Sequence, residues 1–165
     1  MKKTAITIAL LLASYKVFAK TKTTMKTLTN IKPNQKLREC DPLGCGHFGA
    51  NRGYYPNGKR RYHQGVDVLT TKGEPIKSPI SGKVVRESHP YSSDLAWTGL
   101  LIENDIYAVK MWYLLPTIEI GSYVNDGDVI GISQDVSEKH GSAMQTHVHV
   151  EVRKNGVLID PAPLF

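Results

Sequence analysis

In the stretch Gln145-Thr146-His147-Val148-His149-Val150-Glu151-Val152, polar and apolar side chains trade places at every step. That period of two predicts a β-strand with its valines on one face and His147, His149 and Glu151 on the other. A second stretch, His63-Gln64-Gly65-Val66-Asp67-Val68, repeats the alternation and puts His63, Gly65 and Asp67 on a common face. Gly65 has no side chain to block that face. Short β-branched or aromatic runs predict strands over 66–69, 82–86, 100–103, 107–114, 129–132, 147–153 and 157–159. Turn residues separate them: Pro79 and Gly82, Asn104-Asp105, Asn125-Asp126-Gly127, and the strong hairpin signal Asn155-Gly156. No long helical period is present. The pattern predicts an all-β chain with few or no helices, an antiparallel β sandwich or open barrel. The loops over 46–62, 88–98 and 133–146 would wall a site on one sheet face.

The first third reads differently. Lys2 and Lys3 precede an apolar run from Ala5 to Ala13, and Val17-Phe18-Ala19 reads as a cleavage site, so residues 1–19 are expected to be a signal peptide cut near Ala19. The run is too short to span a bilayer. The mature chain is therefore expected in the periplasm or secreted, without a transmembrane segment. The formal net charge of +6 partly reflects this leader, because removing Lys2, Lys3 and Lys16 takes 21 basic residues to 18, against 15 acidic. Residues 20–36 carry five lysines, many threonines and no acid, which predicts a basic flexible arm able to hold the protein near an anionic envelope polymer. The body over 37–165 is near neutral and of a size for one domain with one core. Cys40 and Cys45 flank a Pro-Leu-Gly turn, and in an exported chain they are expected to form a disulfide, contributing about 2 kcal/mol by loop closure. The chain has no glycine-rich phosphate loop and no internal repeat, and its aromatics do not form a nucleic-acid platform.

Two imidazoles and a carboxylate around an open fourth position make the ligand set of a catalytic zinc. His63 and Asp67 supply part of it. Of His147 and His149, one can ligate while the other takes a proton from water. Glu151 is a candidate partner for the second N–H of a ligating imidazole. His47, His89 and His140 fall in loops and are read as solvated.

His63 to Asp67 as HxxxD, followed by His147-Val148-His149 as HxH, resembles the lysostaphin-type (LytM-type) zinc endopeptidases that cut peptide crosslinks in bacterial cell walls. The likeness includes His47-Phe48-Gly49-Ala50-Asn51-Arg52, Gly73-Glu74-Pro75-Ile76, Gly82-Lys83-Val84-Val85, Gly127-Asp128-Val129-Ile130-Gly131 and the closing run from Arg153 to Pro161. It implies the family's duplicated hybrid-motif β fold, one zinc held by His63, Asp67 and His149, and His147 as general base. Peptidoglycan is the implied substrate.

The chain departs from this family at one position. Where the family has Tyr-x-His-Leu, this chain reads Met111-Trp112-Tyr113-Leu114, so Tyr113 stands in the place of the second catalytic histidine. The same replacement, with a similar Cys-x4-Cys loop, marks the branch resembling leukocyte cell-derived chemotaxin 2, whose zinc site is regarded as non-peptidolytic. Two functions follow as expectations. The first is a zinc metalloendopeptidase acting on peptidoglycan, with the Tyr113 O–H as donor to the oxyanion. The second is a catalytically inactive zinc-binding recognition module.

Overall fold

The computed structural model describes residues 28–165. The signal segment expected over 1–19 and the start of the basic arm lie outside the described residues. Two hairpins open the body, β1 (Cys40–Asp41) with β2 (Gly44–Cys45) and β3 (Asn51–Tyr54) with β4 (Arg60–Tyr62). Then come β5 (Val66–Leu69), β6 (Pro75–Lys77), β7 (Gly82–Glu87), β8 (Gly99–Glu103), β9 (Tyr107–Trp112), β10 (Leu114–Pro116), β11 (Tyr123–Val124) and β12 (Val129–Ser133). A single helical turn α1 (Ser137–His140) leads into β13 (His147–Lys154) and β14 (Val157–Ile159). The fold is thus nearly all β, as the alternation predicts.

A seven-stranded antiparallel sheet runs β11-β7-β8-β9-β13-β14, with β5 added on β13. β13 lies inside this sheet: β9 pairs along one edge from His149 to Lys154, while β5 and then β14 share the other. Its alternation now has a cause. Val148, Val150 and Val152 are fully buried with Val66, Val68, Val109 and Met111. Each such side chain contributes on the order of 1.5–3 kcal/mol by leaving water. The three-stranded sheet β10-β12-β6 adds Leu114, Ile130 and Ile76 to the same core.

The structure corrects the sequence expectations at three places. The strand expected over 107–114 breaks at Tyr113, whose backbone is left-handed with φ +66°. Residue 112 ends in one sheet and residue 114 begins in the other, and the turn between them needs that conformation. A bulky side chain there costs about 1–3 kcal/mol. It is held by two hydrogen bonds, Tyr113 N–H to Thr98 O at 2.8 Å and Gln134 N–H to Tyr113 O at 2.9 Å.

The second correction concerns the arm. Residues 28–36 are packed on the body: Ile31 is fully buried, Leu28 nearly so, and Leu28 N–H bonds Leu164 O at 2.7 Å. Two isolated apolar anchors among lysines and threonines leave no period to read. The third concerns the strands of two to four residues at β1 to β4, β6 and β11, whose ladders arise from pairing rather than from local pattern. Among the described residues no helix is long and apolar enough to cross a membrane.

Candidate metal centre

The register between β13 and β5 sets His149 directly opposite Asp67. Directly opposed residues on one face of an antiparallel pair touch. His63, just ahead of β5, completes the group, with its Nε2 2.8 Å from His149 Nδ1 and 3.1 Å from Asp67 Oδ1. His149 Nδ1 is 3.0 Å from that same oxygen. All three residues are buried. Gly65 makes this approach possible, because a Cβ there would lie 2.2 Å from Val150 O and 3.0 Å from the His149 ring.

Outer partners fix which atoms face inward. His63 Nδ1–H donates to His47 O at 2.8 Å, and Glu151 Oε1 lies 3.3 Å from His149 Nε2. His63 Nε2 and His149 Nδ1 are therefore the ring atoms that face Asp67 Oδ1, where a shared proton or a cation could sit between them. Glu151 is held in turn by the Lys110 ammonium at 2.6 Å, and Trp112 stacks on the His149 ring with centroids 5.1 Å apart. One ligand atom from each of these three residues could hold one small divalent cation in place of the protons they share, and a set of two nitrogens and one oxygen suits zinc.

Arg38 carries no sign of its role in the sequence pattern. Its Nε and Nη2 donate to Asp67 Oδ2 at 3.2 and 3.0 Å, and its Nη1 donates to Asp41 Oδ2 and Gly44 O. One carboxylate oxygen is thereby occupied, and Oδ1 alone faces the histidines. Burial pushes the Asp67 carboxyl up, but hydrogen bonds from His149 and His63 and the field of His147 outweigh it and hold it well below the carboxylate range. Burial likewise works against a charged His149, yet the Asp67 and Glu151 carboxylates raise its pKa.

His147 stands beside this group, its Nε2 3.7 Å from Asp67 Oδ1 and its Nδ1–H donating to Gln145 O at 2.6 Å. Its bare Nε2 can accept a proton. Burial holds its pKa below the ordinary histidine value, so the ring is neutral near pH 7. Tyr113 packs edge-on against His147 with centroids 5.4 Å apart. Burial, followed by the hydrogen bond to Tyr91, raises the Tyr113 pKa, so the phenol keeps its proton.

These residues floor and wall an open cleft of about 540 Å³, to which all three expected loops contribute. Arg52 also lines it, with Nη2 donating to Cys45 O at 2.7 Å and a buried Nη1 that has no protein partner among the described residues. Cys40 and Cys45 form the expected disulfide. His47 is exposed and acts through its carbonyl, while His89 is half-buried. His140, expected to be solvated, ends α1 at the cleft rim with Nε2 2.6 Å from the Tyr91 hydroxyl.

A nearly all-β fold with two buried histidines and one aspartate beneath an open cleft has the donor set of a single-metal site. The chain belongs to peptidase family M23, whose match covers residues 61–161. The family is zinc-dependent. The chain is 33% identical to mouse leukocyte cell-derived chemotaxin-2 over 121 residues, covering 73% of this chain and 75% of that one. The crystal structure of a zinc containing peptidase from Vibrio cholerae is similar with a TM-score of 0.58 and 26% identity, over 82% of this chain and 40% of that longer one. The solution structure of lysostaphin is similar with a TM-score of 0.54 and 26% identity, over 84% of this chain and 53% of that one.

Proposed function

We propose that the chain is an exported zinc metalloendopeptidase that cuts peptide crosslinks of bacterial peptidoglycan. His63, Asp67 and His149 would hold the metal, His147 would act as base and Tyr113 would replace the second catalytic histidine. One observation carries this reading: one ligand atom each from His63, Asp67 and His149 and the bare Nε2 of a neutral His147 meet on the floor of an open cleft of about 540 Å³. When bound, zinc would supply the Lewis acidity that activates water and polarises a carbonyl at neutral pH. His147 Nε2 takes the proton released by the attacking water. The Tyr113 O–H donates to the carbonyl oxygen as negative charge builds on it. Arg52 Nη1 is a further donor for a backbone carbonyl of the substrate. The Cys40–Cys45 disulfide accords with a periplasmic or secreted location.

A second reading, a zinc-binding recognition module without turnover, is favoured by Tyr113 together with the similarity to leukocyte cell-derived chemotaxin-2 over most of both chains. Incubating the zinc-loaded protein with purified peptidoglycan separates the two. Release of peptides, abolished by chelation and by His147→Ala, is the expected result. Stoichiometric zinc with no release from any wall polymer overturns the enzyme in favour of the module.

A further inference from the structure

Tyr113 does not stand alone. Its hydroxyl lies 3.0 Å from the Tyr91 hydroxyl, and the Tyr91 hydroxyl lies 2.6 Å from His140 Nε2. The three groups come from three separate elements, the turn after β9, the loop after β7 and the end of α1. All three line the cleft. We propose that His140, acting through Tyr91 and Tyr113, supplies to the cleft the imidazole hydrogen-bond donor that position 113 itself lacks. This rests on the peptidase reading and deepens it.

The argument is one of proton counting. Each phenol has a single O–H, so a row of two hydroxyls ending on an imidazole nitrogen can run in only two directions. With a proton on Nε2, His140 donates to Tyr91 O, Tyr91 donates to Tyr113 O, and the Tyr113 O–H is left for the cleft. With Nε2 bare the row reverses, and Tyr113 shows the cleft only lone pairs. A developing oxyanion selects the first direction, and hydrogen bonds in a row strengthen one another. The reversal turns two hydroxyls and moves the one imidazole proton of the exposed His140 from Nδ1 to Nε2 by exchange with solvent.

The surroundings suit this role. Lys139 lies over the Tyr91 ring at 4.8 Å and pairs with Asp94, while Glu138 pairs with Lys72, so neither carboxylate of these pairs competes for the His140 nitrogen. Partial burial and the Lys139 ammonium lower the His140 pKa, so near pH 7 the ring is neutral and carries one proton that either nitrogen can hold. Among the described residues, no hydrogen bond or ion pair joins the His140 side chain directly to His63, Asp67 or His149, and its row reaches the floor where Tyr113 packs on His147. His140 is a positioning residue, acting at a remove of two hydroxyls.

The test uses the full chain loaded with one zinc and compares His140→Ala, His140→Gln and Tyr91→Phe. His140 is exposed, and its replacement leaves the core intact. The expected result is unchanged zinc content, with peptidoglycan cleavage lowered about tenfold in kcat and little in KM for His140→Ala and Tyr91→Phe. His140→Gln restores turnover, because its amide N–H can donate at the same point. In a Tyr113→Phe background His140→Ala has no further effect, as residues acting through one group are not additive. A readout independent of turnover is the nitrogen NMR signal of His140 Nε2, which Tyr91→Phe shifts. Full turnover in His140→Ala, while Tyr113→Phe loses it, overturns the relay and leaves the peptidase reading standing. A Nε2 signal indifferent to Tyr91→Phe overturns the relay whatever the activity. A zinc-loaded wild type that releases nothing overturns the peptidase reading, and the catalytic role of His140 with it.

Discussion

The floor and the wall of the cleft are built on different principles. On the floor, His149 and Asp67 face each other across a paired ladder, and every inward side chain has an outer partner: His47 O for His63, Glu151 for His149, Arg38 for Asp67. On the wall, Tyr113 in the turn after β9, Tyr91 in the loop after β7 and His140 at the end of α1 are joined by single hydrogen bonds between hydroxyls and a ring. The floor is over-determined, and losing one residue there disturbs both metal and fold. The wall is adjustable, and losing one residue there should alter chemistry alone. The donor role proposed for Tyr113 falls on the adjustable side, where a change of donor type would leave the proposed ligands in place.

The comparison breaks most sharply at Asp67. Asp67→Ala should abolish zinc binding and destabilise the chain by about 3 kcal/mol, the low end for a broken buried pair because Asp41 still holds Arg38. Elemental analysis and denaturant unfolding check both. Tyr113→Phe is the counterpart on the wall, expected to keep metal and stability while lowering peptidoglycan cleavage by about 10²–10³ in kcat. An effect on zinc content would show that the two regions are not separable. Arg38→Met tests whether orientation of one carboxylate matters to the ion, with affinity expected to fall roughly 10- to 100-fold in a chelator competition.

The same contrast explains what could be read in the sequence. His63, Asp67, His147, His149 and Glu151 stand out because a strand's period of two puts them on one face whatever the rest of the chain does. Val66, Val148 and Val150 announce the opposite face equally plainly. Arg38 gives no such sign, since a lone arginine in a polar stretch acquires its role only when that stretch docks beside β5. Tyr91 and His140 lie 49 positions apart, one in a loop and one at the end of a single helical turn, where no period links them. The left-handed backbone of Tyr113 is invisible in a run of aromatic and aliphatic residues that otherwise reads as a continuous strand.

The two tryptophans divide between these regions. Trp112 stacks on the His149 ring, while Trp97 meets Tyr113 edge-on with centroids 6.1 Å apart. The molecule therefore carries a separate optical label on each side of its cleft. A protonated imidazole against Trp112 should quench its emission, and exchange of that proton for a metal should restore it, whereas Trp97 should respond to whatever occupies the space beside Tyr113. With Trp97→Phe the remaining fluorescence would report the ion, and with Trp112→Phe it would report the peptide, so the order in which the two arrive could be followed in a stopped-flow trace.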